Sequence, residues 1–549
     1  MDIEALISLA LYFILMMGIG LYAYRKSTDD VSGYMLGGRQ LNPAVASLSA
    51  GASDMSGWML MGLPGAIFAT GFSEAWIAIG LIIGAYFNYR LVAPRLRVYT
   101  EIADDAITIP DYFEKRFNDT SRTLRVLSAV VIIIFFTLYT SAGVVSGGKL
   151  FEASFGLNYQ LGLFLTAGVV VAYTLFGGFL AVSLTDFVQG CIMFVALVLV
   201  PVVTIMQLGG FGPTTDALST LSVDVGGWEK PYLSMIPQES LGLAVIGIIS
   251  TMSWGLGYFG QPHIIVRFMA VKTLKDVATM RRIGMSWMII TVIGAVLTGA
   301  AGLAYVKSQD IPVADDVNVA RVVDAPAEAT SFSELENIDT TGAFSEGEQV
   351  MLSDQETIFI LLSQVIFHPY IAGFLLAAIL AAIMSTISSQ LLVSSSSLTE
   401  DFYKIFLRRG ASQKELVLVG RISVFAVSLV AIALAFDPDS NILSLVSNAW
   451  AGFGAAFGPL ILISLFWRGM TRAGAVAGMV VGAATVLIWI YVLNLSGVMY
   501  EMVPGFIAAT IAIFLVSNMT RKPDASVTDH FDSMTGILKD GKLPSESQG

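Results

Sequence analysis

The sequence has little charge for its size, and the charge it has is mainly negative. Only 13% of its 549 residues are charged, against about 25% in an average soluble protein. Lys and Arg number 30 and Asp and Glu 42, a formal net charge of −12, so nucleic acid is not expected as a partner. In contrast, 55% of the residues are hydrophobic and the mean hydropathy is +0.74, which indicates a membrane protein.

Cysteine and histidine are also scarce. Cys191 is the single cysteine, which excludes an internal disulfide and a cysteine-ligated metal centre. The three histidines, His263, His368 and His530, lie far apart in the chain and argue against a zinc or iron site. Phosphate-binding loops, dinucleotide fingerprints and catalytic-triad signatures are missing from the sequence. We therefore expect neither an ATP-driven pump nor an enzyme.

Long uncharged runs determine the fold class. Crossing about 30 Å of hydrocarbon takes roughly 20 apolar residues in a helix, and runs of this length do not fit the alternating strands of a membrane barrel. The sequence predicts an all-α polytopic membrane protein. We expect thirteen spans, at residues 5–24, 43–70, 73–97, 123–153, 158–178, 183–209, 240–264, 281–306, 355–398, 415–436, 442–467, 473–494 and 501–520.

The basic residues predict the orientation. The chain begins with Asp2 and Glu4, whereas Arg25 and Lys26 follow the first span, so this is not a cleavable signal peptide and the N-terminus is predicted outside. With thirteen spans, 26 of the 30 Lys and Arg residues fall in or beside the inner connections, in accord with the positive-inside rule. The inner connections are 25–42, 98–122, 179–182, 265–280, 399–414, 468–472 and the cytoplasmic tail from 521.

Three polar segments lie between or after the spans. Residues 307–354 hold eleven acidic and two basic residues, which predicts a solvated, partly disordered extracellular loop; a gate-capping or salt-adapted role is the alternative. The outer segment 210–239 is polar and contains glycine and proline. The tail, 521–549, shows no pattern of a packed domain.

A carboxylate interrupts the second span. Asp54 is the single charged residue between positions 40 and 73, and a carboxylate at that depth costs about 2.5 kcal/mol or more unless a cation or polar network accompanies it. Gly51 and Gly57, which are poor helix formers, flank it. The pattern predicts a broken helix with unwound carbonyls that can bind a cation. Close packing through small residues would explain the glycines but not the aspartate.

The seventh span repeats this pattern. Residues 254–262 are interrupted by three glycines and end at Pro262. Spans 2 and 7 are five apart and cross the membrane in opposite directions, as expected for two inverted five-helix repeats that each open with a discontinuous helix. We place the repeats at about 43–209 and 240–467, with extra helices at 5–24, 473–494 and 501–520.

The ninth span carries hydroxyls on one face. One helical face holds Ala382, Ser385, Thr386 and Ser389. A site made of neutral oxygens with few carboxylates suits a monovalent cation better than calcium. For the serines at 394–397 we instead expect hydrogen bonds back to their own helix.

These segments resemble the sodium:solute symporter family. The resemblance runs from about residue 5 to 520, is closest to the proline-carrying members, and is carried by residues 49–58, 180–186, 254–263, 384–390 and 449–459. It implies a five-plus-five inverted-repeat (LeuT-type) fold, alternating access coupled to Na⁺ as the co-transported ion, and no organic cofactor.

The resemblance also implies site residues. Sodium would bind the carbonyls of Ala52 and Met55 together with Ala382, Ser385 and Thr386. Asp54 would belong to the network of this site, and Arg39 would take part in coupling. The implied substrate-binding residues are Ser56, Gly57, Trp58, Tyr139, Trp254, Tyr258, Gln261 and Pro262. The aromatic members fit an apolar pyrrolidine ring on chemical grounds, although each alone would also fit ordinary packing.

Asp186 has two interpretations. It begins the sixth predicted span near the inner face, where an acid that caps the helix is the simpler explanation. The second interpretation follows from the resemblance to family members that carry sialic acid. It is a second or transit sodium ion, bound between Asp186 and the serines Ser388 and Ser389, with Ser385 beside them.

The sequence thus predicts a sodium-coupled importer of L-proline in the bacterial cytoplasmic (inner) membrane, with its C-terminus in the cytoplasm. The first alternative is a sodium symporter of pantothenate, a sugar or a monocarboxylate. The second is a solute sensor that does not transport. The expected partners are the small-molecule substrate and membrane lipids, with no nucleic acid and no obligate protein partner.

Overall fold

Helices make up most of the chain in the computed structural model, which describes residues 3–26, 31–314, 321–322, 352, 354–438 and 440–543. The α-helices are α1 Ile3–Lys26, α2 Val31–Leu36, α3 Pro43–Asp54, α4 Leu63–Thr70, α5 Ala75–Phe87, α6 Ala93–Ile102, α7 Ile109–Arg116, α8 Thr123–Phe155, α9 Tyr159–Gln207, α10 Phe211–Ser219, α11 Leu241–Met252, α12 Pro262–Ala270, α13 Leu274–Ser308, α14 Ile358–Ile366, α15 Pro369–Ser396, α16 Gln413–Leu434, α17 Ile442–Phe466, α18 Arg472–Tyr491, α19 Met502–Met519 and α20 Ala525–Asp540. Short 3₁₀ or π-helical segments join several of them, at Gly37–Arg39, Phe72–Glu74, Ser253–Gly260 and Gln355–Thr357 (3₁₀) and at Trp58–Gly62, Asn88–Val92 and Ser397–Leu407 (π).

Within the described ranges, eleven helical segments are long and apolar enough to cross a membrane. The other two predicted spans are present as helices of a different kind. The span predicted at 43–70 is interrupted between α3 and α4, and the span at 158–178 corresponds to the shorter apolar stretch Tyr159–Leu175 within α9. The multi-span architecture of membrane helices is confirmed, and the total of thirteen stays a prediction.

A glycine divides α9 where two spans are predicted to meet. Gly178 has φ 58° and ψ −160°, values outside the helical region that a residue with a Cβ rarely adopts. A Cβ at this position would also lie 2.6 Å from the ring of Tyr34. The predicted connection at 179–182 is therefore a kink at Gly178 followed directly by helix, not a loop.

The single span predicted at 355–398 is wrong. The helix α14 ends at Ile366, and α15 starts at Pro369 after His368 takes an extended conformation with ψ 143°. Proline favours the first turn of a helix and removes a donor that continuation would need, which explains the break. The π-helical segment Ser397–Leu407 then extends α15 beyond the predicted end.

Buried ionic contacts hold the short helix α14 against the rest of the bundle. Glu356 lies just before it, almost fully buried, and accepts a hydrogen bond from Lys149 Nζ of α8 at 2.9 Å. The same carboxylate accepts the backbone N–H groups of Ile442 and Leu443, at 3.1 and 3.2 Å, and so caps the start of α17. One acid thus joins α14 to two long helices.

A small sheet occupies part of the outer segment 210–239, for which no strand is predicted. Strands β1 (Leu221–Val225) and β2 (Trp228–Pro231) form an antiparallel hairpin, and β3 (Arg321–Val322) pairs with the other edge of β1. The turn consists of two glycines with φ 63° and 86°, the geometry that a two-residue hairpin requires.

The helix α20 of the predicted tail packs against α6. Val527 and Met534 are buried, and the guanidinium of Arg116 lies 5.5 Å from the ring centre of Phe531. The tail shows no pattern of a packed domain in the sequence, but its polar composition hides an apolar stripe at i, i+4 and i+7, through which this one helix packs.

The helix α5 packs directly, backbone against backbone, on the segment Ser253–Gly260. A Cβ added to Gly80 would overlap the carbonyl of Met252, and one added to Gly84 would overlap the carbonyl of Gly255. Small residues permit this approach in a membrane bundle, where van der Waals packing supplies much of the association energy.

We therefore expect Gly84→Ala to lower the melting temperature of the detergent-purified protein, because overpacking costs about 1–3 kcal/mol. Gly18→Ala is the matched control, since a Cβ at Gly18 of α1 meets nothing within 4 Å. Equal melting temperatures for the two variants in a thermal unfolding assay would contradict the packing described.

Candidate functional site

The break between α3 and α4 exposes a backbone carbonyl inside the protein. In a continuous helix the N–H of Ser56 would donate to the carbonyl of Ala52. It donates instead to the carbonyl of Asp54, at 3.1 Å, and Met59 N–H donates to the carbonyl of Ser56 at 3.0 Å. The carbonyl of Ala52 is thereby released from the helix in a place where it is shielded from water.

Hydroxyls of α15 meet this carbonyl. Ser385 Oγ donates to Ala52 O at 2.7 Å, and Thr386 Oγ1 lies 3.4 Å from the same oxygen. The two hydroxyls are also 3.1 and 3.2 Å from the carbonyl of Ala382. Four of the five residues predicted for sodium therefore converge. The fifth, Met55, is buried in the break, and its sulfur accepts the Thr291 hydroxyl at 3.7 Å.

Asp54 points away from that convergence, toward the other interrupted helix. Its Oδ2 accepts the hydroxyl of Tyr258, while no donor reaches Oδ1 within the described part of the chain. Its backbone carbonyl accepts Trp58 Nε1 at 3.0 Å and lies 3.4 Å from the hydroxyl of Tyr139. The acid thus connects the break in one helix to the break in the other.

The second break lies between α11 and α12. Ser253–Gly260 winds as a 3₁₀ helix and ends at Gln261, which is extended and precedes Pro262, the first residue of α12. Asn88 Nδ2 donates to the carbonyl of Tyr258 at 2.9 Å, and Gln261 Nε2 donates to the carbonyl of Trp450 at 3.1 Å. The Asn88 amide thus satisfies a carbonyl of the irregular helix, and the Gln261 amide joins the second break to α17.

Aromatic rings pack together between the two breaks. Trp58 and Trp254 have ring centres 6.2 Å apart, and Trp254 also stacks on Tyr500 at 5.4 Å. Trp450 lies edge-on to Tyr258 at 5.2 Å and donates its indole N–H to the carbonyl of Trp254 at 2.8 Å.

Sequence reasoning misses Trp450 and Tyr500 as members of this aromatic group. Trp450 lies in the segment 449–459, which carries part of the family resemblance. That resemblance is the one sequence feature that could have identified Trp450 as a site residue. The remaining predicted solute residues are placed nearby: Ser56 is buried in the first break, and a Cβ on Gly57 would lie 2.5 Å from Ser146 Oγ of α8.

Asp186 is part of a buried ion pair. Its Oδ2 lies 3.3 Å from Arg267 Nη2 and accepts the hydroxyls of Ser49 at 2.7 Å and Ser53 at 3.2 Å. Ser389 Oγ is 3.5 Å from the same oxygen and accepts Arg267 Nη2 at 2.6 Å. The interpretation of Asp186 as a capping acid is wrong, because the residue lies inside α9 beyond the kink.

The two serines predicted with Asp186 have different partners. Ser389 belongs to the Asp186 and Arg267 cluster, whereas the hydroxyl of Ser388 donates to the carbonyl of Ser385 at 3.1 Å. Arg267 is the residue that sequence reasoning misses, because it falls in the predicted inner connection 265–280 and yet is fully buried.

Arg39 joins three segments on the predicted inner side. Its backbone is left-handed, with φ 55°, and its side chain is buried. It pairs with Asp105 at 2.7 Å and donates to the carbonyls of Met269 at 2.8 Å and Ala106 at 2.7 Å. The residue therefore links the entry into α3 with the ends of α6 and α12.

The serines at 394–397 differ from expectation in part. Ser396 donates to the carbonyl of Leu392 in its own helix at 2.8 Å, as predicted, but Ser395 donates to Gly420 of α16, also at 2.8 Å. A small cavity of about 20 Å³ lies between α12 and α15, beside Ser396 and Ser397. Its lining includes Pro262, Val266, Leu392 and Ser396.

Two interrupted helices that meet at a buried polar site, in a bundle of apolar spans, are the architecture of ion-coupled secondary transporters. Comparison with known proteins identifies the family. The model of the sodium:solute symporter family matches residues 34–324 and 341–482. The chain belongs to the sodium:solute symporter family. It is therefore a secondary transporter and not an enzyme, and sodium is its co-transported ion.

Curated relatives match the chain over nearly its whole length. It is 55% identical over 540 residues to the osmoregulated proline transporter OpuE of Bacillus subtilis, covering 98% of this chain and 99% of the relative. It is 49% identical over 547 residues to a sodium/proline symporter of Staphylococcus aureus, covering 98% of this chain and 97% of that one.

Solved structures confirm the fold class. A Na⁺-coupled sialic acid symporter in a substrate-bound outward-open state superposes with a TM-score of 0.74 at 17% identity, covering 95% of this chain and 99% of its own. Mhp1, a nucleobase-cation-symport-1 family transporter, gives 0.52 at 11% identity, covering 91% and 98%. The predicted five-plus-five, LeuT-type fold is thus confirmed.

The buried ion pair generates a prediction. Asp186→Asn keeps the shape of the side chain but leaves the guanidinium of Arg267 unpaired, which costs about 3–5 kcal/mol in a buried site. We expect a large fall in melting temperature in sodium-free buffer, and partial recovery when Arg267→Met is added.

The matched control is Asp532→Asn, which breaks an ion pair with Arg468 whose two side chains are 55% and 54% exposed. Such a pair contributes about 0–1 kcal/mol. If both Asn variants melt at the same temperature, or if the double variant is no more stable than Asp186→Asn, the buried pair is not the stabilising contact described.

Proposed function

We propose that the chain imports L-proline together with sodium across the bacterial cytoplasmic membrane, with its N-terminus outside and its C-terminus in the cytoplasm. The observation that carries this proposal is the convergence of the freed Ala52 carbonyl with the hydroxyls of Ser385 and Thr386. The names of the full-length relatives support proline as the solute.

The proposed sodium ligands are all neutral oxygens. The carbonyls of Ala52, Met55 and Ala382 would bind the ion together with the hydroxyls of Ser385 and Thr386. Hard cations bind such oxygens, and a site without a direct carboxylate suits one positive charge. Ser385 now donates its proton to Ala52 O, so ion binding requires that hydroxyl to turn and present its lone pairs instead.

Coupling would follow from where the ligands lie. Ala52 belongs to the first interrupted helix, whereas Ser385 belongs to α15, so a sodium ion between them fixes the position of one helix relative to the other. Asp54 lies two residues after Ala52 and accepts the hydroxyl of Tyr258, so a shift of Ala52 on sodium binding would also move Tyr258, one of the proposed solute-binding residues. The membrane potential adds about 2.3 kcal/mol per charge per 100 mV to inward movement.

The solute would lie among the aromatic rings between the two breaks. An apolar pyrrolidine ring would pack on the faces of Trp58, Tyr139, Trp254 and Tyr258. The charged end of the molecule would bind at the two helix breaks, near Ser56, Gly57, Gln261 and Pro262, where α12 begins. Trp450 and Tyr500 complete the same wall.

The paired breaks also support the proposed division of the chain into inverted repeats at 43–209 and 240–467. Each would begin with an interrupted helix, α3–α4 in the first and α11–α12 in the second. Alternating access would move these helices against α8, α9, α15 and α16, with Arg39 at the inner end of the moving set.

A second sodium at Asp186, Ser388 and Ser389 stays a prediction. Arg267 already supplies a positive charge to Asp186, so a second ion would have to displace the guanidinium. A sodium Hill coefficient of one for proline uptake would argue against this second site.

The test of the function is uptake of radiolabelled proline by proteoliposomes with an imposed inward sodium gradient. We expect accumulation that disappears when choline replaces sodium. Ser385→Ala should raise the sodium concentration for half-maximal uptake about 10- to 100-fold, since it removes a ligand.

Ser396→Ala is the matched control, because that hydroxyl bonds to its own helix; its sodium dependence should equal that of the unmodified protein. Proline accumulation that ignores the sodium gradient would contradict the proposal. Uptake of pantothenate, a sugar or a monocarboxylate in place of proline would assign the chain to another solute.

A further inference from the structure

The first helix, α1, lies outside the proposed repeats, and most of its surface faces away from the protein. It packs against α9 and α15 along a single stripe. The buried residues of the stripe recur three or four positions apart, and they are Ala5, Leu9, Tyr12, Met16, Gly20 and Ala23. One of these six residues, Tyr12, carries a polar side-chain group.

The hydroxyl of Tyr12 makes two hydrogen bonds deep in the bundle. It accepts Gln189 Nε2 of α9 at 2.9 Å, and it donates to the sulfur of Met384 of α15 at 3.5 Å. Tyr12 itself is 5% exposed, and Gln189 is fully buried. A ring needed solely for packing would not require these bonds.

Both partners of this hydroxyl adjoin the polar centre. Met384 directly precedes Ser385, whose hydroxyl contacts the Ala52 carbonyl. Gln189 follows Asp186 by one helical turn, and Asp186 accepts the hydroxyls of Ser49 and Ser53 of α3. The Tyr12 hydroxyl is therefore bonded to both helices that contact α3 at this centre, to α15 through Met384 and to α9 through Gln189.

A second tyrosine holds the same point from α9. Tyr173 donates its hydroxyl to the carbonyl of Met384 at 2.8 Å. Met384 is thus fixed at its backbone by Tyr173 and at its side chain by Tyr12. Two separate helices constrain the residue that comes just before the proposed sodium ligand.

We propose that Tyr12 is a positioning residue for sodium binding, which acts through Gln189 and Met384 to hold α15 in the register that presents Ser385 to Ala52. This inference rests on the proposed sodium site. It assigns to the helix outside the repeats a role in ion affinity, in addition to its packing.

The hydroxyl is the part of Tyr12 that matters for this role. Tyr12→Phe keeps the ring in the stripe and removes both hydrogen bonds. The buried amide N–H of Gln189 then loses its acceptor, and the cost of leaving it unpaired favours a turn of the amide toward another partner. The side chain of Met384 is released at the same time, and Ser385 loses part of its support.

The test uses the full-length protein in proteoliposomes and in detergent. We expect Tyr12→Phe to raise the half-saturating sodium concentration roughly 10-fold, the lower end of the effect of groups that orient metal ligands. The proline KM at saturating sodium and the amount of folded protein should stay unchanged. Gln189→Leu should give the same shift, and the double variant should shift no further.

Ser8→Ala is the matched control. Ser8 lies one turn earlier on α1 and donates to the carbonyl of Tyr370, at the other end of α15 from Ser397, so its loss should leave sodium affinity unchanged. The proposal is overturned if Tyr12→Phe leaves the sodium dependence unaltered, if it merely lowers yield or maximal rate, or if Ser8→Ala produces an equal shift.

A second readout separates this inference from the proposed function. Stabilisation of the detergent-purified protein by sodium alone, measured as a shift in melting temperature against choline, does not depend on the solute. If sodium stabilises the unmodified protein but proline is not taken up, proline is not the solute. The role of Tyr12 in sodium binding can still be tested by the sodium titration. A sodium titration that is identical for the unmodified protein and Tyr12→Phe overturns the role of Tyr12 alone.

Discussion

A helix interrupted inside a membrane bundle leaves backbone carbonyls that neither lipid nor water can satisfy, and the rest of the centre is organised around that problem. The break after Asp54 releases the Ala52 carbonyl, and α15 supplies the hydroxyl of Ser385 to meet it. At the second break, side chains donate hydrogen bonds to the free carbonyls: the amide of Asn88 to that of Tyr258, and the indole of Trp450 to that of Trp254. A carbonyl held by a hydroxyl is satisfied but exchangeable, because a small cation can replace the proton. This exchangeability is the physical basis of the proposed sodium site.

Buried charge follows the same rule in two further places. Asp186 and Arg267 neutralise each other beneath α3, where the hydroxyl of Ser49 donates to Asp186 Oδ2 and accepts Arg267 Nε. On the predicted outer side, Glu356 pairs with Lys149 and caps α17. Each pair joins elements that are distant in sequence, so ionic contacts decide which helices meet although they add little net stability. Asp54 is different, since its partner is the neutral hydroxyl of Tyr258. Its other oxygen, Oδ1, has no donor among the described residues.

The sequence predicted those features whose cause is local. Glycines around a lone aspartate indicated the first break, the glycines of 254–262 the second, and both are present. The meeting of Ala52 with Ser385 came from the family resemblance, because no local pattern says which helices touch. Arg267 was missed since counting basic residues treats it as part of an inner loop, whereas the fold buries it completely. The single span at 355–398 failed because hydropathy ignored Pro369, and α20 was missed because average polarity masks a narrow apolar stripe. Local composition therefore predicts where a helix breaks, and tertiary contacts decide what the break is used for.

The break after α3 would make the Ala52 carbonyl a sodium ligand, and a pair of high-resolution structures, one determined in sodium and one in choline, tests this assignment. In sodium, we expect an ion between Ala52 O and the hydroxyls of Ser385 and Thr386, at the short distances of direct ligation. In choline, Ser385 should donate to Ala52 as described. A sodium-bound structure in which the Ser385 to Ala52 hydrogen bond persists and the ion lies elsewhere would show that Ala52 is not a sodium ligand.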